Sequence, residues 1–583
     1  MYVGLLQGSN KMNIKNLFEQ DERIDLESYL NKKGIDNYRK YLKPPTTVLD
    51  DCYIYNNIRD AVREIKYHLL EGHTFCLIID PDTDGMCAAY MMYDDIKTIN
   101  PKCKVKMIIQ EGKLRGLDSE NIRKKVLVYH PDVLILTDSG TNSAKYTQEL
   151  FDNGIYLIVA DHHEPDENVC TDWGIVVNNQ MNILDCNTSL SGCGVTFKLI
   201  QALDREFGTK YSNNYIDLVG LSIISDSMDV RTYENRWFVK YLLDDKEHIK
   251  NPFVYAMFDK FLGDTYTQRD ISFKIVPLIN SVIRCGTTKE KQQLFLAFDG
   301  RKIDETIEMC KHYHQEQVNK INKFIEHHQE EIDEQADSNI TIIDAKDVPQ
   351  NFSGLIAGKI SGLTNKPCIV GKTINGELGG SFRGYIPRAV MTYLPYVNDA
   401  KGHNLGAYGI FLDTSKSQNL DDFRAAIDEM DISIDREVIA SYSADKLQMG
   451  LFKEFVGHND LWGKELDKPT FHVYNIRVNN TDIQVMGAKQ NTLKITLDGY
   501  VIMFFNVSKQ QLEDFGIKLG ELDEKTQKQE VICNNSELSI DVIGSVDINR
   551  YENKYTHRIT ETNQIIVDDY EVKPITNTFE DLM

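Results

Sequence analysis

Acidic residues and histidines collect at four places between residues 80 and 226, and three of those places directly follow a short apolar run. Asp80-Pro81-Asp82-Thr83-Asp84-Gly85 follows Phe75 to Ile79, Thr137-Asp138-Ser139-Gly140 follows Val133 to Leu136, and Asp161-His162-His163 follows Ile155 to Ala160; Ser225-Asp226 completes the set. A short unbroken apolar run fits a strand buried on both faces, as in a parallel sheet. In an open α/β sheet, ligands sit beyond the carboxyl ends of the strands. Such a sheet would bring these clusters together, and a core does not accept that much like charge unless cations answer it.

The donor set reads as a two-metal site for phosphoester hydrolysis. Asp82 and Asp84 are expected to point the same way on an extended or turning segment, since side chains alternate there, and so to ligate neighbouring cations. Gly85 would allow a tight turn into a helix whose N-terminus favours anions. Asp138 is placed to bridge both ions, His162 offers an imidazole, and Asp226 closes the second ion's shell. Mixed carboxylate and imidazole donors suit two Mn²⁺ ions, with Mg²⁺ the alternative. Such ions activate a water for in-line attack on phosphorus and stabilise the leaving oxygen, so no side-chain nucleophile is needed. Singly, each cluster has a plainer reading. The first lacks the Glu of a calcium loop, having Met91 there,. Asp-Ser-Gly alone is usually a turn or a helix cap, and His-His pairs are more often structural than catalytic. Their order at successive strand ends decides for the joint reading.

The chain of 583 residues has room for three or four domains at about 150 residues each,. A net charge of −23 is not that of a general nucleic-acid binder, so a polyanionic substrate must be met by a local basic groove or by metal ions,. Eleven cysteines lie scattered from Cys52 to Cys533 without a Cys-x-x-Cys pair, which points to reduced thiols,. No stretch approaches the roughly 20 apolar residues of a membrane span, and Met1 to Met12 carries no cleavage pattern, so a soluble, cytoplasmic protein is expected,.

Alternating strand and helix patterns to about residue 240 predict an α/β fold with a doubly wound parallel sheet. The expected plan is a helical extension over 1–70, the catalytic domain over 71–300, and a linker helix over 301–335, charged all round and solvated. A smaller α/β domain follows over 336–418, then a helical connection over 419–469, a β-barrel of about five strands over 470–573, and a tail over 574–583.

The ordered motifs DPDTDG (80–85), TDSG (137–140), ADHH (160–163) and SDSMD (225–229) resemble those of the DHH phosphoesterases, and the chain is most similar to the RecJ-type single-strand exonucleases. Arg115-Gly116-Leu117, LSGCGVTFKLIQAL (190–203), Glu234-Asn235-Arg236 and PLINSVIR (277–284) extend the match. GLIAGKI (354–360), GGSFRG (379–384) and KGHNLGAYG (401–409) resemble the DHH-associated domain, and Met486 to Lys489 with Val567 to Tyr570 the OB-like barrel.

The resemblance implies that Asp80, Asp82, Asp84, Asp138, His162 and Asp226 hold metal, with Asp138, His162 and His163 catalytic and His163 either contacting the scissile phosphate or orienting the site. It implies Ser381, Arg383, His403, Asn280 and Arg284 for substrate, across a groove between the two α/β domains. Lys489, Lys494, Tyr500 and Phe504 are candidates on the barrel, about half of them core. Ile78 stands where many relatives carry a ligating His, and Lys401 and Tyr408 replace glycines, Tyr408 either stacking on a base or blocking the groove. The implied function is a Mn²⁺- or Mg²⁺-dependent, 5′-to-3′ single-stranded DNA exonuclease of DNA repair, recombination or replication, monomeric, with a single-strand-binding protein or helicase as partner. Two other readings compete: a phosphodiesterase for short oligonucleotides or cyclic dinucleotides, which would not need the extra barrel, and an inactive replication scaffold, which would have lost metal ligands.

Overall fold

In the computed structural model, five apolar runs become strands of one parallel sheet: β1 (Phe75–Ile79), β2 (Val105–Ile109), β3 (Val133–Thr137), β4 (Tyr156–Asp161) and β5 (Gly174–Asn178), ordered β2-β1-β3-β4-β5. The structure describes residues 14–110, 116–170, 172–348, 351–364, 366–402, 406–430, 436–487, 490–523, 528–533, 537–552 and 558–573. β1, β3 and nearly all of β4 are buried, because helices cover both faces. Cys76, Ile78, Leu134, Leu136, Leu157 and Val159 pack with Ile122, Val126 and Leu150 from two helices on one side. Helix α1 (Ile58–Glu71) packs on α3 (Gly192–Phe207), and α2 (Thr83–Ile99) lies among α3, α4 (Ile216–Ser225) and strands β1 and β3. A π-helical turn, Ile271–Ile275, leads into α5 (Val276–Cys285).

The chain forms two compact units: Lys33–Asn319 with Asn459–Asp467, and Met1–Lys32 with Lys320–His458 and Lys468–Met583. Residues 1–70 are therefore not one extension. The strand Ile14–Asn16 pairs in parallel with Arg436–Val438, whereas α1 buries Ile58, Ala61, Val62, Ile65 and Leu69 within the parallel-sheet unit. The expected helical connection over 419–469 is also broken by short strands, and residues 459–467 belong with the parallel sheet. There the fully buried Arg236 donates to the Asp460 carbonyl at 2.8 Å and pairs with its carboxylate at 2.5 Å.

The long helix α6 (Ile303–His327) sits where expected but is not solvated all round. Ile307, Cys310, Gln317, Ile321 and Phe324 recur at spacings of three, four or seven and are buried, so one face is a packed stripe.

The smaller α/β domain has the sheet order β9-β10-β8-β7-β6, formed by β6 (Thr341–Asp344), β7 (Cys368–Ile374), β8 (Glu377–Gly384), β9 (Val397–Gly402) and β10 (Gly406–Asp413). Helix α7 (Ser353–Thr364) packs on β7 and β8. The C-terminal region holds a sheet of seven strands: Ser441–Ser443, β11 (Thr470–Asn479), β12 (Ile483–Met486), β13 (Thr492–Thr496), β14 (Val501–Phe505), β15 (Glu537–Glu552) and β16 (Ile559–Lys573). Among the described residues no helix is long and apolar enough to cross a membrane, and the described cysteines are free thiols.

Asp95, on α2, supplies a stability test. It is 1% exposed, and its Oδ2 has no hydrogen-bond partner. Burial first, then the charges of Asp204 and Asp94, raise its pKa well above 3.8. Its stabilising protonation is complete below 3.8 and is lost as pH rises toward and through the elevated folded value,. Asp95→Asn is therefore expected to leave the melting temperature unchanged near pH 4 and to raise it above pH 7, by the equivalent of about 1–3 kcal/mol; an equal shift at both pH values would refute the assignment.

A candidate two-metal centre at the strand ends

Two groups of donors converge at the carboxyl ends of β1 and β3. Asp80, Asp82 and Asp138 form one, Asp84, His162 and Asp226 the other, with ligand atoms in each group within 4.8 Å of one another. His162 Nε2 links the groups, 3.2 Å from Asp138 Oδ1 and 3.4 Å from Asp226 Oδ2. Carboxylates this close repel by roughly 3–4 kcal/mol per pair at an effective dielectric of about 20. Asp138 shows the consequence: burial, then the charges of Asp84, Asp82, Asp80 and Asp226, push its pKa well above the usual range. Its Oδ1 is buried without a hydrogen bond. Divalent cations fit this set, because they supply the positive charge that the buried donors lack.

Asp82 and Asp84 do not alternate along an extended segment. Asp82 is the N-cap of α2, its Oδ1 accepting from the Gly85 N–H at 2.9 Å. Asp84 lies inside the first turn, which sends it to the other donor group. The helix N-terminus that receives it is not its own but that of α3. The Gly192 and Cys193 N–H groups donate to Asp84 Oδ2 and Oδ1 at 3.0 and 2.9 Å, and the Ser222 hydroxyl also donates to Oδ1. Burial and then Asp82 still raise the Asp84 pKa to about 6, against these donors. Gly85 serves close approach rather than a turn, since a Cβ there would lie 2.6 Å from the Asp80 Cβ.

Asp80 follows β1 directly, its Oδ1 accepting from Gln110 Nε2 at 3.1 Å, while Gln110 Oε1 accepts from the Gly116 N–H at 2.8 Å. Asp226 caps the C-terminus of α4. Ile78 is fully buried in the sheet core and contributes no donor.

Asp161 behaves oppositely to Asp138. Burial opposes its ionisation, yet the hydrogen bond and charge of His163, with His162 and Thr141, outweigh it and hold the carboxyl well below the usual range. Its Oδ1 accepts from the His162 N–H at 2.8 Å and meets His163 Nδ1 at 2.8 Å; Oδ2 accepts from the Thr141 N–H and hydroxyl at 3.0 and 2.7 Å. Asp161 thus orients the His163 ring and fixes the backbone at His162. Sequence reasoning gave it no role, although an Asp ending a buried strand before two His was the available signal. Ser222, Gln110 and Thr141 were missed because nothing local marks them.

Asn280 and Arg284 lie on α5. Asn280 Oδ1 accepts from the Thr83 hydroxyl at 2.8 Å, beside the first donor group. Arg284 faces the charge of Asp82, and burial lowers its pKa. In the smaller domain, Ser381 and Arg383 share one face of β8. Ser381 pairs with the Ser353 hydroxyl at 2.9 Å, and a Cβ on Gly354 would lie 2.5 Å from Arg383 Nη2. Tyr408 neither stacks on a ligand nor blocks a groove: it is 3% exposed, stacks on Phe382 at 4.4 Å and donates to the Ile386 carbonyl at 3.0 Å. Tyr500 and Phe504 are core, whereas Phe505 is 45% exposed. Arg115, His403 and Lys489 lie outside the described residues.

Gly192 tests how tightly the centre is built. A Cβ there would lie 2.3 Å from Asp138 Oδ1 and 2.7 Å from its Cα. Gly192→Ala is expected to lower the melting temperature by the equivalent of about 1–3 kcal/mol and to weaken divalent-ion binding in calorimetric titration; unchanged values for both would show that the packing is loose.

The comparisons agree with this geometry. Residues 75–223 match the DHH family, N-terminal domain, and residues 440–560 match the RecJ OB domain. The chain is 25% identical to the putative SPbeta prophage-derived single-strand DNA-specific exonuclease YorK of Bacillus subtilis (strain 168), over 94% of this chain and 97% of the relative. It is 23% identical to the single-stranded-DNA-specific exonuclease RecJ of the same organism, over 94% of this chain and 69% of that one. The crystal structure of Mn²⁺-bound RecJ from Thermus thermophilus superposes with a TM-score of 0.70 at 19% identity, over 95% of this chain and 76% of that one. The chain thus carries a DHH family N-terminal domain and a RecJ OB domain, and it shares the RecJ fold.

Proposed function

We propose that this protein is a Mn²⁺-dependent exonuclease for single-stranded DNA, working from the 5′ end, with Mg²⁺ the alternative ion. The observation that carries the proposal is the pair of donor groups, built on the buried Asp80, Asp84 and Asp138 and joined through Asp138 and His162. Support comes from the relatives named single-strand DNA-specific exonucleases and from the RecJ OB domain. In this reading Asp80, Asp82 and Asp138 hold one ion, and Asp84, His162 and Asp226 the other. Bound divalent ions supply an acidified water and neutralise charge on the phosphodiester.

The chain's own residues do the rest. Asp161 engages His163 Nδ1, so Nε2 is the ring atom that meets a phosphate oxygen. Arg284 and Asn280 steady the substrate beside Asp82 and Thr83. Ser381 and Arg383, with His403, hold the strand's backbone phosphates, for which a guanidinium fork is suited. Lys494 and the exposed Phe505 lie on one face of paired strands β13 and β14 and suit backbone contact and base stacking. The same reading places the protein in DNA repair, recombination or replication, as a cytoplasmic monomer beside a single-strand-binding protein or helicase. The barrel favours a polymer over short or cyclic substrates, and the retained donors favour an enzyme over a scaffold.

Incubation with Mn²⁺ and single-stranded DNA labelled at either end tests the proposal, with matched RNA and a cyclic dinucleotide alongside. Mononucleotide released first from the 5′-labelled end and abolished by chelator is expected; turnover of the cyclic substrate alone would move the protein to the phosphodiesterase reading. Asp138→Ala is expected to cut turnover by about 10³-fold or more, equivalent to about 4 kcal/mol, with circular dichroism unchanged. Arg383→Ala should raise KM about tenfold, about 1.4 kcal/mol, with little change in kcat; an unchanged KM would remove it from the substrate path.

A further inference from the structure

We propose that His327, His328 and Asp347 form a second divalent-cation site, of zinc type, that clamps the end of α6 to the turn after β6. One ligand atom from each lies within 4.8 Å of the others. His327 ends α6, His328 caps the short helix Gln329–Asp333, and Asp347 sits in the turn closed by the Val348 N–H to the Ala345 carbonyl at 3.4 Å.

The contacts of His328 carry the argument. Its Nδ1 is 2.8 Å from Glu331 Oε2, and its Nε2 is 3.2 Å from Asp347 Oδ1. Carboxylates offer only lone pairs, and a neutral imidazole has one N–H. With that proton on Nδ1 facing Glu331, the Nε2 lone pair meets the lone pairs of Asp347, a repulsive contact unless positive charge lies there. A second proton would suffice for His328 and Asp347 alone. It would not explain a third donor, His327, at the same point. A metal ion uses all three.

Glu331 then orients the ligating ring from behind, an arrangement that recurs at metal-bound histidines. The ring is also fixed by Phe324, 5% exposed, with centroids 4.4 Å apart. Two imidazoles and one carboxylate, with solvent in a fourth position, suit Zn²⁺. The carboxylate-rich centre at the strand ends suits harder ions. Asp347 is 55% exposed at its side chain, so the site can load from solution.

The test uses Zn²⁺ alone on the full chain. Zinc retained after dialysis is counted by elemental analysis, and the Zn²⁺-induced rise in melting temperature is recorded. The wild type is expected to hold one more zinc ion per chain than the double variant His327→Gln/His328→Gln, and only the wild type to gain the stabilisation from this site. Glu331→Gln should keep the ion with affinity lowered about 10–100-fold. Should the double variant fail to fold, Asp347→Asn, in an exposed turn, gives the same readout. Equal zinc counts and equal melting shifts in wild type and variants would overturn the proposal.

Discussion

Convergence of carboxylates, with Asp80, Asp84 and Asp138 buried, is the constraint on which the rest of the parallel-sheet unit depends. Asp80, Asp82, Asp84, Asp138 and Asp226 occupy two adjoining groups around His162. At roughly 3–4 kcal/mol of repulsion per close pair, no single hydrogen bond of about 1.5–3 kcal/mol to a charged group balances the set. The fold stabilises one carboxylate at a time. Asp84 receives the α3 N-terminus and Ser222, and Asp80 receives Gln110. Asp138 Oδ1 faces His162 Nε2 at 3.2 Å without a hydrogen bond, the residue adopts a left-handed backbone with φ of 62°, and its pKa stays strongly raised. The unbalanced charge is concentrated where the two donor groups join.

Equal burial with opposite outcomes separates the roles. Asp138 and Asp161 are 2% and 1% exposed, yet one is held toward the protonated form and the other toward the ionised form. The difference lies in donors. Asp161 collects N–H, O–H and imidazole contacts from Thr141, His162 and His163, while around Asp138 the charges of four other carboxylates outweigh the one imidazole contact from His162. A carboxylate already saturated by its own chain orients its neighbours, and an unsaturated one has capacity for a ligand. A similar logic supports the loop leading into α3. Buried Lys198 pairs with Glu234 at 2.5 Å and donates to the Asp50 carbonyl, and Glu234 also accepts from Asn187. Removing one partner of such a pair would leave a buried charge uncompensated, at a cost of about 3–5 kcal/mol.

Much of this was legible in the sequence where period and order are local. Continuous apolar runs marked β1, β3 and β4 because both sheet faces are covered, and the clusters after them marked the site. Failures came where tertiary contacts override a local pattern. Asp82 and Asp84 look alternating, but a helix starts between them. The linker looked charged all round because Ile307, Cys310, Ile321 and Phe324 are spread thinly among polar residues, yet they make one buried stripe. Tyr408, replacing a glycine, is absorbed by stacking on Phe382. In the seven-stranded C-terminal sheet, which among the described residues is ordered as an open sheet rather than the closed barrel expected, Phe504 and Phe505 are adjacent and opposite in exposure, so only the β14 register says which could meet a base.

Ile78 bounds the chemistry of the site without disturbing its fold. At the position where the resemblance places a histidine, Ile78 packs against Leu134, Leu136 and Ile108 and costs the sheet nothing. The donor set that remains is rich in carboxylate oxygen, with His162 as the imidazole in the two groups. Oxygen-rich sets favour hard ions such as Mn²⁺ and Mg²⁺ over softer ones. Losing a neutral donor also leaves the net negative charge of the cluster unchanged while lowering its donor count, so charge neutralisation becomes the larger part of what a cation contributes. The Gln110 Nε2 contact to Asp80 Oδ1 at 3.1 Å orients one of those carboxylates.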